Sequence, residues 1–329
     1  MDSDCLEVRD ASFGAIADRW DQLLHQCGSA TVFLSCAWQQ TWWSRFANGA
    51  TLALLEVTRA GRSVAIAPLM RSQGVVSFLG DTDLVDYHDF LIAGAEVVPV
   101  TDAVFEHVAQ WPEVHTIDLK SIAGDSPTLG AFKQAAEARR WHLEDSFEDV
   151  APGVTLPETF DAYVSGLDKK DRHELRRKLR RLNAAGTVAQ EDYRSPEDIA
   201  GRFDEFIRLV RLSSPEKDAF LTEERVRFIR EVTMALARNG MASLVMMNLD
   251  GKRVAASLAF RLRDRSYGYN SGYDPEYRQL AVGLLNHALA LERAIAEGVR
   301  YFDFMRGNEH YKYDLGARDR EIRHVVVRR

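Results

Sequence analysis

The sequence predicts an α+β protein of two tandem domains, each a mostly antiparallel, twisted sheet flanked by helices. The chain has 329 residues, enough for two domains of ordinary size. Both halves show the same order of elements, with helices first, then an antiparallel run of strands, then a helix and further strands. A Pro- and Gly-containing segment at 151–157 is the best candidate linker. We therefore assign residues 1–150 and 151–329 to the two domains.

Composition favours a globular protein of the cytoplasm. Hydrophobic residues make up 46% of the chain and charged residues 28%. The net charge of −7 argues against a general nucleic-acid-binding protein. Three cysteines without CxxC spacing argue against a disulfide framework. The first residues lack a signal-peptide pattern, and no apolar run reaches the roughly 18 residues of a membrane span.

Two helices open the first half. Apolar residues at helical spacing predict a helix at 12–28, and Ser35 is the expected N-cap of a helix at 36–46. We interpret the three tryptophans of the second helix as core anchors. The remaining predicted elements are strands at 51–58, 62–69 and 74–79, a helix at 101–110, a strand at 114–119, a helix at 127–140 and a strand near 141–147.

An acidic loop, Asp81 to Asp89, precedes a short apolar strand at 90–92. Its aspartates and His88 have the chemistry of metal ligands, but no second cluster completes a site, so we predict no metal. The loop is expected either to contact substrate or to form a solvated turn.

A basic amphipathic helix begins the second half, after a short helix at 158–166. Leu175, Leu179 and Leu182 recur at helical spacing, and the other face is dense in Lys and Arg. Most such faces are solvated, but contact of residues 169–181 with a cofactor phosphate, an anionic acceptor or a membrane surface also fits.

The rest of the second half alternates between helices and a strand meander. The turn Asp250-Gly251 is a strong hairpin signal. The predicted elements are helices at 196–212 and 222–238, strands at 242–249, 253–262 and 265–273, a helix at 284–297, and strands at 300–304 and 321–327.

The loop before the helix at 284–297 reads Arg278-Gln-Leu-Ala281-Val-Gly283. Backbone N–H groups at a helix N-terminus bind anions, and Arg278 stands at the mouth of this one. An alanine at 281 costs little if its backbone dihedrals are ordinary. The sequence predicts a phosphate-binding site formed by Arg278, Gln279, Ala281, Val282, Gly283 and Leu284.

This loop fits the Arg/Gln-x-x-Gly/Ala-x-Gly/Ala pattern of GNAT N-acyltransferases. Two flanking stretches resemble the CelD-like and Fem-like branch, whose members carry two GNAT-type domains: Ser271-Gly-Tyr-Asp274-Pro, and Phe302-Asp303-Phe-Met-Arg306-Gly307-Asn-Glu-His-Tyr311-Lys312. The first half has similar signals in Phe33-Leu-Ser35, Ile66-Ala-Pro68-Leu, Phe78-Leu-Gly80 and Asp86-Tyr87-His-Asp89. The resemblance covers nearly the whole chain.

The resemblance implies direct transfer of an acyl group from acyl-CoA or acetyl-CoA to an amine or hydroxyl, without a metal. The acceptor would be a small molecule, a sugar or polysaccharide, or a long-chain lipid of the sphingoid type. In GNAT folds the strands before the loop and after the helix splay apart around the thioester; here these are 265–273 and 300–304. The first domain would be degenerate for the cofactor and would contribute to the acceptor site.

Catalysis of this kind needs a proton acceptor. Asp303, between two phenylalanines, is our candidate base or amine anchor; the alternative is that it holds a neighbouring loop through backbone N–H groups. His88 is the second candidate base, and His287 is interpreted as a packed helix residue. No nucleophile elbow occurs, which favours direct transfer. Expected substrate-binding residues are Asp86, Tyr87, Tyr273, Arg306, Tyr311 and Lys312.

Two alternatives remain open. A Fem-like peptidyltransferase of cell-wall precursors would use aminoacyl-tRNA, for which a net charge of −7 is poor support. A non-catalytic binding module is the other, although intact Arg278, Gly283 and Asp303 argue against it. A lipid acceptor would give the basic helix a role in docking at the inner face of the membrane.

Overall fold

The computed structural model describes residues 5–80 and 83–329. Residues 1–4 and the first two residues of the acidic loop, Asp81 and Thr82, lie outside the described residues. The chain divides into two compact units: unit 1 runs to Val150 and also includes Arg320–Arg329, and unit 2 is Ala151–Asp319. The first change of unit falls where the sequence analysis places the domain boundary.

The first segment of unit 1 contains four α-helices and seven strands, among the described residues. The helices are α1 (Phe13–Gln26), α2 (Cys36–Phe46), α3 (Val97–Ala109) and α4 (Pro127–Ala138), with a 3-10 turn at Val32–Leu34. The strands are β1 (Leu6–Asp10), β2 (Thr51–Arg59), β3 (Arg62–Ser72), β4 (Val75–Phe78), β5 (Leu91–Ile92), β6 (Thr116–Ala123) and β7 (His142–Val150).

Unit 2 follows, and the chain ends with a strand that returns to unit 1. The helices of unit 2 are α5 (Phe160–Gly166), α6 (Lys169–Ala185), α7 (Pro196–Ala200), α8 (Phe203–Ser213), α9 (Pro215–Phe220), α10 (Glu223–Arg238), α11 (Val282–Ala296) and α12 (His310–Asp314), with a 3-10 helix at Pro275–Leu280. The strands are β8 (Gly153–Thr155), β9 (Val188–Tyr193), β10 (Ala242–Leu249), β11 (Lys252–Leu262), β12 (Arg265–Tyr273), β13 (Tyr301–Asp303) and the terminal β14 (Glu321–Arg328).

Each unit is built on one mostly antiparallel sheet. The order in unit 1 is β1-β2-β3-β4-β6-β14-β7, with β5 beside β3. The order in unit 2 is β8-β13-β12-β11-β10-β9. The parallel pairs are β4 with β6 and β12 with β13. The predicted α+β class is confirmed, and none of the helices in the described part is long and apolar enough to cross a membrane.

The position of β14 corrects the predicted domain assignment, which placed the chain's last ten residues in the second domain. β14 lies between β6 and β7 and pairs with both. Ile322, Val325 and Val327 are at most 1% exposed, and the two valines belong to the apolar core of unit 1. The last strand therefore completes a sheet whose other strands lie before residue 151.

The predicted linker is also part of a sheet. Gly153 to Thr155 form β8, which pairs antiparallel with β13. Gly153 also exchanges backbone hydrogen bonds with Arg318 (2.8 and 2.9 Å). A side chain at 153 would overlap the hydroxyl of Tyr301, only 2.1 Å from the Cβ position. A Pro/Gly-rich composition thus reflects an edge strand with a close contact here, rather than a solvated connection.

The parallel pair β12 and β13 stays in register for only three residue pairs, Arg265 with Tyr301 to Tyr267 with Asp303. The rest of β12, as far as Tyr273, continues paired to β11 on its other side. β13 ends at Asp303, so among the described strands the part of β12 after Tyr267 has no partner on that side, and the loop that precedes α11 follows directly from this free part of β12.

Candidate active site

The loop between β12 and α11 exposes unused backbone donors. The loop starts at Asp274, whose Oδ1 accepts a hydrogen bond from the N–H of Glu276 at 3.1 Å. This bond caps the 3-10 helix. The first backbone hydrogen bond of α11 runs from the N–H of Leu285 to the carbonyl of Ala281 (3.0 Å). The N–H groups of residues 282–284 precede that bond and have no acceptor within the helix. They form a helix N-terminus of the kind that can bind an anion, at the residues where the sequence analysis expects one.

Ala281 does not have ordinary dihedrals. Its φ of 56° and ψ of 35° put it in the left-handed region, where it ends the 3-10 helix and caps α11. This conformation costs an L-residue roughly 1–2 kcal/mol. The condition under which alanine was expected to be harmless is therefore not met, and the loop contains local strain where the stricter pattern has glycine.

Gly283 is required by a close approach. A Cβ added there would lie 2.9 Å from Cδ1 of Tyr273, closer than real contacts allow. The first turn of α11 therefore packs directly on the end of β12.

A cavity of about 330 Å³, which we call the loop pocket, opens beside this turn. Its walls come from the α8–α9 junction, β12, the loop, α11 and α12. The lining residues are Ser213, Ser214, Lys217, Ser271, Tyr273, Arg278, Ala281, Val282, Gly283, Leu284, His287 and Tyr311. The pocket therefore brings together most of the predicted phosphate-binding residues with Tyr273 and Tyr311, whereas Gln279 lies exposed beside it.

His287 has a larger part in this pocket than the sequence analysis gave it. It is buried, its Nε2 lies 3.1 Å from Oγ of Ser271, and its ring stacks on Tyr311 with centroids 5.1 Å apart. Burial, with the nearby cations Lys217 and Lys312, lowers the pKa of His287 to about 3. The imidazole is therefore neutral at physiological pH and acts as a hydrogen-bonding group.

Tyr311 and Lys217 supply the other polar groups of this wall. Burial raises the pKa of Tyr311 above its usual value, so its hydroxyl stays protonated and can donate. The Nζ of Lys217 donates to the backbone carbonyl of Ser271 at 2.6 Å. The sequence analysis missed Lys217; the Ser-Pro-Glu signature of a helix N-terminus at 214–216 was the available signal.

Comparison with known proteins identifies this architecture. Residues 169–313 match the family model described as an acetyltransferase (GNAT) domain. Within unit 2, residues 169–313 therefore form a GNAT acetyltransferase domain, and this part of the chain is an acyltransferase domain. No curated protein matches the sequence significantly.

Solved structures resemble the chain over its whole length. A structure of FemX has a TM-score of 0.67 at 13% identity and covers 97% of this chain and 96% of its own. The C-terminal domain of a putative lysylphosphatidylglycerol synthetase from Agrobacterium fabrum has a TM-score of 0.61 at 11% identity, with 97% and 92% covered. A tandem GNAT protein from the clavulanic acid biosynthesis pathway has a TM-score of 0.53 at 16% identity, with 98% covered on both sides. At these identities the likeness concerns the fold.

Asp303 of the GNAT domain does not line the loop pocket. It is 0% exposed, and its Oδ1 accepts the N–H of Met305 at 2.8 Å. Met305 has a φ of 67°, a left-handed turn that this bond helps to hold. The geometry agrees with the alternative interpretation, in which the aspartate positions the loop after β13.

Lys312 and Arg306 belong to the same loop. The ammonium of Lys312 is buried and donates to the carbonyls of residues 305, 306 and 307, each at 2.9 Å, and pairs with Glu309 at 2.8 Å. Its hydrogen-bonding capacity is used within the protein. Neither Lys312 nor Arg306 lines the loop pocket, so their predicted substrate contacts find no support in this geometry.

The predicted site residues of unit 1 are mostly buried. His88 is 4% exposed, its Nδ1 lies 3.2 Å from the carbonyl of Lys120, and it lines a pocket of about 570 Å³ within unit 1. Tyr87 is buried with the Arg320 guanidinium 5.1 Å above its ring, and Asp86 is half-buried. The described part of this loop is thus packed into the unit rather than solvated.

Asp89 explains part of that packing. It accepts hydrogen bonds from Ser126 and Thr128 at the start of α4 and from the N–H of Phe90. Burial raises its pKa to about 6. Within residues 5–80 and 83–329, no three His, Cys, Asp or Glu side chains form a group that could hold a metal ion.

Proposed function

We propose that this protein transfers an acyl group directly from a coenzyme A thioester to an amine. The observation that carries the proposal is that one pocket joins an anion-binding helix terminus to the free part of β12. A GNAT reaction needs both, because the first holds the pyrophosphate of the donor and the second lies along its thioester arm.

The donor would bind through residues 278–284. The N–H groups of Val282, Gly283 and Leu284 face no helical acceptor, and the exposed guanidinium of Arg278 adds positive charge at the rim. Gln279 is also exposed, and we propose that it contacts the same phosphates. Acetyl-CoA and longer acyl-CoA esters share this part of the molecule, so the proposal covers both.

In the described part of unit 1, the corresponding helix terminus differs. Helix α3 connects the parallel strands β4 and β6, as α11 connects β12 and β13, but Glu96 precedes its first turn and pairs with Arg59. A carboxylate at this position repels phosphate. We therefore propose that the donor binds in unit 2.

Proton transfer can be completed inside the loop pocket. The amine attacks the thioester carbon, the C–N bond forms and the C–S bond breaks. The hydroxyl of Tyr311 gives its proton to the leaving thiolate, and the resulting tyrosinate takes the proton that the new amide nitrogen loses. No carboxylate lines the pocket among the described residues, so Tyr311 is our choice over Asp303 or His88 for this role.

Binding of acyl-CoA tests the proposal. We expect acetyl-CoA or palmitoyl-CoA to bind in calorimetric titration, and Arg278→Ala to weaken binding by about tenfold, because one charge-assisted contact is lost. Arg300→Ala, an exposed arginine of unit 2 outside the pocket, is the control and should bind as the wild type does. Binding of neither ester would reject the proposal. Tighter binding of tRNA would favour the Fem-like alternative, and binding without transfer would favour a non-catalytic module.

Membrane contact of the basic helix is a separate part of the proposal. On α6, Lys169, Lys170, Arg176, Arg177 and Arg180 are exposed, and Arg177 pairs with Glu174 at 2.8 Å. Because anionic lipids attract such a face, we expect vesicles containing phosphatidylglycerol to bind the protein, and replacement of the lysines by glutamine to weaken binding. Equal sedimentation with neutral and anionic vesicles would show that the face is only solvated.

A further inference from the structure

Lys217 is a cation without a counter-ion in the wall of the loop pocket. Its Nζ has one hydrogen bond, to the carbonyl of Ser271, and forms no ion pair with any described residue. Glu309 acts on Lys217 electrostatically and raises its pKa, but this carboxylate is itself paired with Lys312 at 2.8 Å. An ammonium has three donors, so two remain available to a ligand.

The pocket around this ammonium is positive. Its charged lining residues are Lys217 and Arg278, and no Asp or Glu lines it among the described residues. His287 is held neutral beside them. Lys217 is half-buried, and burial lowers the pKa of its ammonium. Such a cation gains most from a bound anion.

The location of Lys217 distinguishes the anion that it would bind from the phosphates of coenzyme A. Arg278 and the helix terminus bind at the loop, whereas Lys217 is attached to Ser271, which lies on β12 before the loop begins. In the proposed function, β12 is the strand along which the thioester lies. An anion held by Lys217 is therefore close to the reacting carbonyl.

We propose that Lys217 binds a carboxylate of the acceptor, so that the acceptor is an amino acid or a similar amino-carboxylate. This inference rests on the proposed function. Lys217 is fixed for the task, because Ser214 caps α9 by accepting the N–H of Lys217 at 3.1 Å and the hydrogen bond to Ser271 holds the other end of the side chain. A simple sphingoid base has no carboxylate and would leave the ammonium without a partner.

Kinetics with paired acceptors test the inference. With acetyl-CoA as donor, phenylalanine is compared with phenethylamine, which lacks only the carboxylate. The wild type should prefer phenylalanine. Lys217→Met should raise the KM for phenylalanine at least tenfold while leaving that for phenethylamine within twofold. Lys217→Arg should retain part of the preference, and Lys133→Met, an exposed lysine of unit 1 outside the pocket, should retain all of it.

The other outcomes reject the inference in distinguishable ways. Equal losses for both amines in a folded Lys217→Met variant would show a structural lysine. A Lys217-dependent preference for succinyl-CoA over acetyl-CoA would assign the carboxylate to the acyl group, and reject an acceptor carboxylate. If no acyl-CoA binds, the proposed function fails first. Calorimetric binding of N-acetylphenylalanine, compared between wild type and Lys217→Met, then tests the carboxylate site without turnover, and equal affinities would reject it.

Discussion

At the scale of single residues, the loop before α11 combines strain with function. Ala281 is held in the left-handed region at the junction of the 3-10 helix and α11. Its neighbours Val282 and Gly283 carry N–H groups that we propose bind the donor's phosphates, so the strained position cannot shift without moving them. Residues held in such conformations persist only where the surrounding packing fixes them.

Ala281→Gly should stabilise the protein. Glycine removes the cost of the left-handed conformation, roughly 1–2 kcal/mol. Glycine also makes the unfolded chain more flexible, which lowers the stability of the folded protein by about 0.4–1 kcal/mol. We expect the free energy of unfolding in urea to rise by about 0.5–1 kcal/mol. Ala290→Gly, inside α11, is the matched control and should lower it by about 1 kcal/mol. If both changes destabilised equally, the strain at 281 would be absent.

The pKa of His287 predicts a pH dependence of stability. The folded protein has a pKa of about 3 at this site, against an ordinary 6.5, so below pH 6.5 the unfolded chain binds a proton that the folded chain does not. The contribution of the neutral His287 to the free energy of unfolding is fully present above pH 6.5. It is lost as the pH falls towards 3, at up to about 1.4 kcal/mol per pH unit.

His287→Asn should therefore flatten the fall in stability between pH 7 and 5, measured by urea denaturation, while the exposed His310→Asn should keep the wild-type slope. Asp89, with its pKa raised to about 6, acts in the opposite direction, so the comparison is between variants and wild type. An unchanged slope in His287→Asn would show that the imidazole titrates alike in both states.

At the scale of elements, the loop pocket depends on how closely α8 packs on β12. Gly272 of β12 faces the helix backbone: a Cβ there would lie 2.3 Å from Cα of Val210 and 2.4 Å from the carbonyl oxygen of Leu209. Backbone cannot move aside as a side-chain tip can. α8 ends at Ser213, and Ser213 and Ser214 line the loop pocket, so this contact sets one wall of the site.

Gly272→Ala is expected to push α8 away from β12. We expect a loss of about 1–3 kcal/mol in the free energy of unfolding, as for other overpacked sites, together with weaker binding of acyl-CoA. Gly166→Ala serves as the control, because a Cβ there meets no atom within 4 Å. Full acyl-CoA affinity in a folded Gly272→Ala protein would show that the wall is not needed.

At the scale of the whole molecule, the chain leaves unit 1 at Val150 and returns to it at Arg320. The returning strand β14 is central rather than peripheral, since it separates β6 from β7 and buries Val325 and Val327 in the core. Unit 1 is therefore completed only after unit 2 has been synthesised.

Removal of residues 320–329 should unfold part of unit 1. Among the described strands, β7 pairs with β14 alone, so the deletion leaves it without a neighbouring strand and exposes the edge of β6 that β14 pairs with. We expect amide exchange in residues 116–123 and 142–150 to lose its protection while β10 to β12 remain protected. Unchanged protection in β6 would contradict the central role of β14.

The sequence by itself determined the elements whose signals are local. Apolar periodicity and caps predicted α2 at its observed bounds, and the turn residues Asp250-Gly251 predicted the hairpin between β10 and β11. The helix N-terminus after residues 278–281 could be predicted for the same reason, because its residues are contiguous in the chain. These features depend on interactions between residues a few positions apart.

Only the tertiary structure decided the rest. It shows that β14 belongs to the sheet of unit 1 and that part of the predicted linker forms β8. Asp303 and Lys312 form hydrogen bonds that support one loop, and Lys217 donates a hydrogen bond to the carbonyl of Ser271. In each case the contacting residue lies in another element or across a loop. Such a contact produces no periodic pattern of residues in the sequence. A lysine that fills a loop with hydrogen bonds and a lysine that faces a pocket have the same side chain; their neighbours in space distinguish them.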